Sequence, residues 1–356
     1  MTIRELSHSA RDPLASPARP RASACILGLT VVLALFALFA ICVGRFSISV
    51  STVCGILASD LLPISETWTH TEATVVNVVR LPRVAMAIIA GAGLAICGAA
   101  FQGLFRNPLV GPQILGISSA ASFGGALAIT LSASVVGIIG SAFGFGLVAL
   151  IVIFVLCRAT PRANLSIILA GVVVGSFFTA LVGVLEYTSD PLTKLPSIVY
   201  WLLGSFATAN PQKLMALAIP TVLASATLLA MRWRLNILSL NETDASALGG
   251  DVKKCRWLVL MMGALIVAAQ VAVSGGIGWV GLIIPHFGRM LVGPDHRLLL
   301  PASALLGGLY LLAVDTIART ATTQEIPLGL LTALIGAPIF GYLLWRTHLR
   351  GWGDGE

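Results

Sequence analysis

Nine apolar runs with almost no charge follow one another along this chain, and they restrict its fold more than any other feature. They lie near residues 24–43, 84–105, 113–131, 135–157, 164–185, 214–231, 257–284, 298–318 and 327–345. A bilayer core takes ~20 apolar residues per helical crossing. The run 257–284 is too long for one ordinary crossing, and Ser274-Gly275-Gly276 interrupts it. Ten crossings are therefore expected. The composition agrees: 57% of residues are hydrophobic and only 10% charged, whereas a soluble domain is about half apolar and a quarter charged. The expected fold class is an all-α polytopic membrane protein with about ten transmembrane helices.

The interruption is informative in its own right. Ser274-Gly275-Gly276-Ile277-Gly278-Trp279 is followed by Pro285, His286 and Arg289. Broken helices at membrane depth persist only where protein or a water-filled cavity satisfies the freed backbone groups. Such a break suits a transport pathway better than a passive anchor. Asn107-Pro108 and Gly111-Pro112 mark a tight turn between two crossings. Asn107, Pro108, Ser274, Gly275, Gly276 and Pro285 are therefore the candidate pathway and gating breaks.

The first 23 residues are polar and carry Arg4, Arg11, Arg19 and Arg21. The apolar run after them is span-length and ends without an A-x-A-like cleavage site, so it reads as the first crossing rather than a signal peptide. The expected organisation is a tail over 1–23, one membrane domain over 24–346 and a tail over 347–356. The six cysteines form no C-x-x-C pair and lie mostly in or beside apolar runs, as small apolar residues do.

Basic residues set the orientation. With the N-terminus in the cytoplasm, ten crossings leave 6 of the 22 Lys and Arg outside: Arg45, Arg80, Arg83, Lys194, Lys213 and Arg319. The other 16 fall inside. Both termini are then cytoplasmic. The net charge of +7 is spread over separate loops, which gives a nucleic-acid partner little support. The expected surroundings are membrane lipid.

Several chemistries are missing. No G-x-x-x-x-G-K-[ST] phosphate loop occurs, and no lysine follows a glycine. There is no H-E-x-x-H and no convincing nucleophile–base set. His286 has no matching ligand cluster, so no metal site and no bound cofactor are expected. Intramembrane carboxylates are few, Asp315 and Glu186 being the candidates, which poorly supplies a proton relay. Uphill transport would draw its energy from another subunit.

Two polar constellations remain. Arg80-Leu81-Pro82-Arg83 opens the second crossing on the outer side, and Arg319 ends the ninth there. These arginines read either as interfacial anchors or as a docking site for the acidic residues of an external partner, whose carboxylates suit the planar guanidinium fork. Asp315, four residues before Arg319, offers it a helical ion pair. The other constellation is the inner segment 234–254. Leu238, Leu240, Ala245 and Leu248 give it an apolar side, able to lie on the membrane or to dock into a cytoplasmic partner. A faint internal similarity lays Arg80–Ala92 over Glu325–Ala337.

The motifs R-L-P-R, G-x-x-x-Q-x-x-x-R-N-P-L, L-x-x-x-x-A-x-x-L-G, S-G-x-I-G-[FW]-V-G-L-x-x-P-H, D-H-R-x-L-L-P and D-x-x-A-R occur in this order between Arg80 and Arg319. In them the chain resembles the FecCD-type permeases of type II ABC importers, which handle ferric siderophores, haem and cobalamin. The resemblance extends from Arg80 to Arg346, nearly the whole membrane region.

The resemblance implies a bacterial inner-membrane subunit, paired with a second permease subunit that is a copy or a paralogue. It implies a cytoplasmic ABC ATPase dimer that uses ATP and Mg, and a periplasmic or lipid-anchored substrate-binding protein. Arg80, Arg83 and Arg319 match arginines that meet glutamates of the binding protein. Glu242, Ala245, Leu248 and Gly249 match the loop that seats in the ATPase. Ferric siderophore is the expected cargo, with haem or cobalamin as alternatives and an ion-coupled carrier as the rival class. Ala120, Asn241 and Gly250 depart from the family pattern, which bears on local packing and ATPase fit rather than on class.

Overall fold

Backbone groups in lipid have no water to bond, so an apolar run that crosses must satisfy them within itself, as a helix. The computed structural model describes residues 19–59, 63, 65–158, 163–240, 244–245 and 251–351. It places a helix over every expected crossing: α1 Arg19–Cys42, α2 Leu81–Phe105, α3 Ile117–Thr130, α4 Val135–Cys157, α5 Ala163–Thr188, α6 Pro211–Ala230, α7 Val252–Ser274, α8 Val280–Val292, α9 His296–Thr320 and α10 Leu328–Gly351. No strand occurs among the described residues.

Three helices differ from a simple rod. The short helix His70–Thr74 and a π-helical turn Val75–Arg80 run directly into α2, giving a continuous stretch of 36 residues. A capping box of Thr69 and Glu72 starts it. Pro82 cannot donate a backbone hydrogen bond, and the widened turn lies just ahead of it. Arg80 and Arg83 thus sit well inside a helix instead of opening one. The run 113–131 is divided into a 3-10 turn, Pro112–Leu115, and α3. At the junction Gly116 has φ +67 and lies against the backbone of Gly171 and Gly175 in α5. The run 257–284 divides into α7 and α8, as the glycines predict.

α2, α7 and α9 are mostly buried, whereas in α1, α4, α5 and α6 only a minority of residues is buried. The central helices approach closely because small residues meet at their crossings. Gly91 of α2 faces the carbonyl of Gly307 in α9, and Gly98 faces that of Gly281 in α8; a Cβ at either glycine would overlap the oxygen. The exposed faces are apolar, including Leu27, Leu35 and Phe39 on α1, Ile151 and Val155 on α4, and Ile219 and Leu223 on α6. A surface of this kind requires a non-aqueous surrounding.

Candidate functional site

The candidate residues collect at the two ends of the bundle and at the break between α7 and α8. At one end lie the three arginines singled out in the sequence, all at least nine-tenths buried. Arg80 donates from Nη1 to the carbonyls of Ile41 (2.8 Å) and Cys42 (3.0 Å) and from Nη2 to that of Phe46. Arg319 donates to the carbonyls of Ala40 and Val43. Both therefore cap the last turn of α1, where carbonyls lack helical partners and the helix dipole favours a cation.

Arg83 is held differently. Its Nε donates to both Asp315 oxygens at 3.0 and 3.1 Å. Its two terminal nitrogens donate to Glu325, Nη1 to Oε1 at 3.0 Å and Nη2 to Oε2 at 2.9 Å. Asp315 also lies 3.6 Å from Arg319 Nε, the i,i+4 pair expected within α9. Four arginines, Arg45, Arg80, Arg83 and Arg319, line a depression of about 180 Å³ together with Glu325. Asp315 lies fully buried beside it. Arg45 is exposed, and its Nη2 reaches the carbonyl of Thr322 at 3.2 Å.

The break occupies residues 275–279, with Gly275 and Ile277 buried and Gly276, Gly278 and Trp279 half-buried. Gly275 closes α7 at φ +70, with the carbonyl of Trp201 in the space a Cβ would need. Gln270 donates from Nε2 to the Ser274 hydroxyl and to the Gly275 carbonyl, both at 2.9 Å. The turn at Leu203–Gly204 ties the break to α10: Ser205 donates to Ser274 at 2.8 Å, Leu328 to Gly204 at 2.8 Å and Gly329 to Leu203 at 3.0 Å. Trp279 has φ +68, a sparsely populated conformation for a bulky residue. Its ring centroid stands 6.3 Å from that of Phe340 in α10. Pro285 does not break the chain; α8 continues through it. The carbonyl of Gly281, deprived of its i+4 donor by Pro285, is the one that faces Gly98. Asn107 forms an Asx turn, accepting from the backbone N–H of Leu109 at 2.9 Å, and Pro108 follows within it.

The opposite end holds a clamp. A short helix, Arg232–Leu238, follows α6, and its Asn236 meets the start of α9. The amide donates to Asp295 at 2.7 Å, while its oxygen accepts from the backbone N–H of His296 at 2.9 Å. Asp295 caps α9 through the Arg297 N–H. Burial alone would raise the Asp295 carboxyl, but the Arg297 N–H and the Asn236 amide outweigh it and hold the group below its ordinary range. Arg297 stacks on Trp233, 3.9 Å from the ring centroid. Of the four residues expected to face an ATPase, Ala245 is buried; Glu242, Leu248 and Gly249 lie outside the described residues.

Sequence reasoning missed Glu325, Arg45 and Asn236 as site residues. Glu325 had a signal: the internal similarity laid it opposite Arg80, and the two segments do lie at the same end and touch through Arg83. Asn236 had none, because its partners are 59 and 60 residues away.

A bundle of this construction, with buried polar clusters at both ends and a helix broken inside it, defines a membrane permease. The chain belongs to the FecCD transport family, whose model matches residues 31–346. It is 46% identical over 333 residues to a Haemophilus influenzae protein named as a molybdate import system permease, covering 92% of this chain and 96% of that one. It is 43% identical over 285 residues to a cobalamin import system permease of Halobacterium salinarum, covering 79% and 76%. Other relatives are named as iron chelatin and hemin permeases. A solved ABC transporter assigned to the metal-chelate type, in an inward-facing conformation, superposes with a TM-score of 0.82 at 44% identity, over 91% of this chain and 99% of that one. The chain is a permease subunit of a type II ABC importer, which sets aside the ion-coupled carrier.

Proposed function

We propose that the chain passes a metal-containing anion into the cytoplasm, with molybdate as the first candidate. The observation that carries this reading is the near-full-length match to a molybdate permease. Iron chelates, ferric siderophores among them, are the second reading, favoured by the relatives named as iron chelatin and hemin permeases. Cobalamin follows from the same kind of match.

In this reading a second permease subunit completes the pathway and separate ATPases hydrolyse ATP with Mg below. The arginine end faces outward, as the basic-residue bias requires. An external substrate-binding protein docks there through acidic residues that meet the depression around Arg80, Arg83 and Arg319. The segment 234–254 seats in the ATPase, and the α9 clamp at Asn236 carries its movement into the bundle. The break at 275–279 and the turn at Asn107-Pro108 are the places where the pathway opens and closes.

The test is uptake of labelled molybdate, ferric siderophores, haem and cobalamin by cells lacking the chain, with and without its restoration. Loss of molybdate uptake alone, rescued by the wild type, is the expected result. Loss of an iron chelate instead supports the second reading, and unchanged uptake of all four overturns both.

A further inference from the structure

Of the three buried arginines, Arg80 and Arg319 are committed to carbonyls of the α1 end and its following turn, which cannot leave. Arg83 is the exception. Its inner edge is held by Asp315, fully buried, and its outer edge by Glu325, whose side chain is 22% exposed. The two carboxylates together occupy both edges of the guanidinium fork. A third carboxylate arriving from outside therefore finds the fork filled. Yet the charge balance invites one: four arginines line or border the depression against the two carboxylates.

We propose that Glu325 is a resident stand-in for a carboxylate of the binding protein, and that docking proceeds by exchange at Arg83. This rests on the docking reading given above. The incoming acidic side chain takes the outer edge of Arg83 and Glu325 swings away. Arg83 keeps a bidentate partner throughout, because one carboxylate replaces another on its outer edge, and the displaced Glu325, already 22% exposed, passes to solvent.

The exchange has a consequence further along the chain. Glu325 belongs to the exposed turn that leads into α10. Besides the Arg83 pair, that turn is held by Arg45 on Thr322 (3.2 Å) and by the Ile326 N–H on Ala318 (3.1 Å). The next residues, Leu328 and Gly329, bond to Gly204 and Leu203, the turn that also holds Ser274 beside the break. Displacing Glu325 loosens the first anchor in this series. Docking would thus be felt at the start of α10 and, through it, at the break.

The experiment uses the full transporter in lipid nanodiscs and the separately produced substrate-binding protein of the same system. Affinity is measured for the wild type, Glu325→Gln, Glu325→Asp and Arg83→Gln, and a spin label at Thr322→Cys reports the mobility of the turn. Gln keeps the shape without the charge, and Asp keeps the charge without the reach. Both should tighten binding by about fivefold, the scale of one partly exposed ion pair, and both should leave the turn mobile before the partner arrives. In otherwise wild-type protein the label should become mobile only on docking. Arg83→Gln should weaken binding by about tenfold or more. If Arg83→Gln loses affinity while both Glu325 variants bind as the wild type or more weakly, docking stands and the exchange is wrong. If Arg83→Gln binds as the wild type, the docking reading fails and the exchange with it.

Discussion

Asp315 is the one fully buried carboxylate among the described residues. It bonds Arg83 through both oxygens and lies beside Arg319. Removing one partner of a buried ionic set leaves uncompensated charge and costs about 3–5 kcal/mol. Asp315→Asn keeps the shape and removes the charge, so it should lower the thermal midpoint of the detergent-solubilised protein clearly, more than Glu325→Gln does. Equal midpoints for the two variants would show that burial does not separate their roles. The i,i+4 spacing of Asp315 and Arg319 was readable in the sequence. The Arg83 pairing, 232 residues apart, was not. The sequence offered anchoring and docking as alternatives for the arginines; the structure shows a third use, capping the end of α1 and organising a turn.

Among the elements, α9 links the two ends of the molecule. Its first turn is gripped by Asn236 and its last turns carry Asp315 and Arg319. One helix of 25 residues, continuous through Pro301, joins the two ends and can carry displacement along its axis. Asn236→Ala should therefore leave ATP hydrolysis by the assembled transporter running while transport per ATP falls by about fivefold or more, the scale of a typical coupling energy. Proteoliposomes loaded with ATP allow both rates to be read together; a parallel fall of the two would mean the variant merely damages the subunit. The length of the apolar runs, with the interruption at Ser274-Gly275-Gly276, located all ten elements. The breaks were legible because glycine and proline punctuate apolar runs so strongly. The π-helical approach to α2 and the 3-10 turn before α3 were not, since both depend on what packs against them. Pro285 misled for the same reason: a helix tolerates proline where the freed carbonyl finds another neighbour, and Gly98 supplies the room.

For the whole molecule, the arrangement of ends gives a direct test of orientation. Thr322 lies at the arginine end and Arg234 beside the Asn236 clamp at the other. In a background without the six native cysteines, a membrane-impermeant maleimide applied to intact cells should label Thr322→Cys and spare Arg234→Cys. The reverse pattern would invert the reading of the basic-residue bias.

What the sequence alone determined is the class of surroundings, the number of crossings and the main breaks, at Asn107-Pro108 and after Ser274. These follow from local quantities: hydropathy over a span, the missing N–H of proline and the missing Cβ of glycine. What only the tertiary structure decided is which polar groups meet. Arg83 with Glu325, Asn236 with His296 and the Leu203–Gly204 turn with α10 are all long-range pairings. They exist because a buried polar group must find a partner somewhere in the fold, and the chain does not state locally where that partner will be.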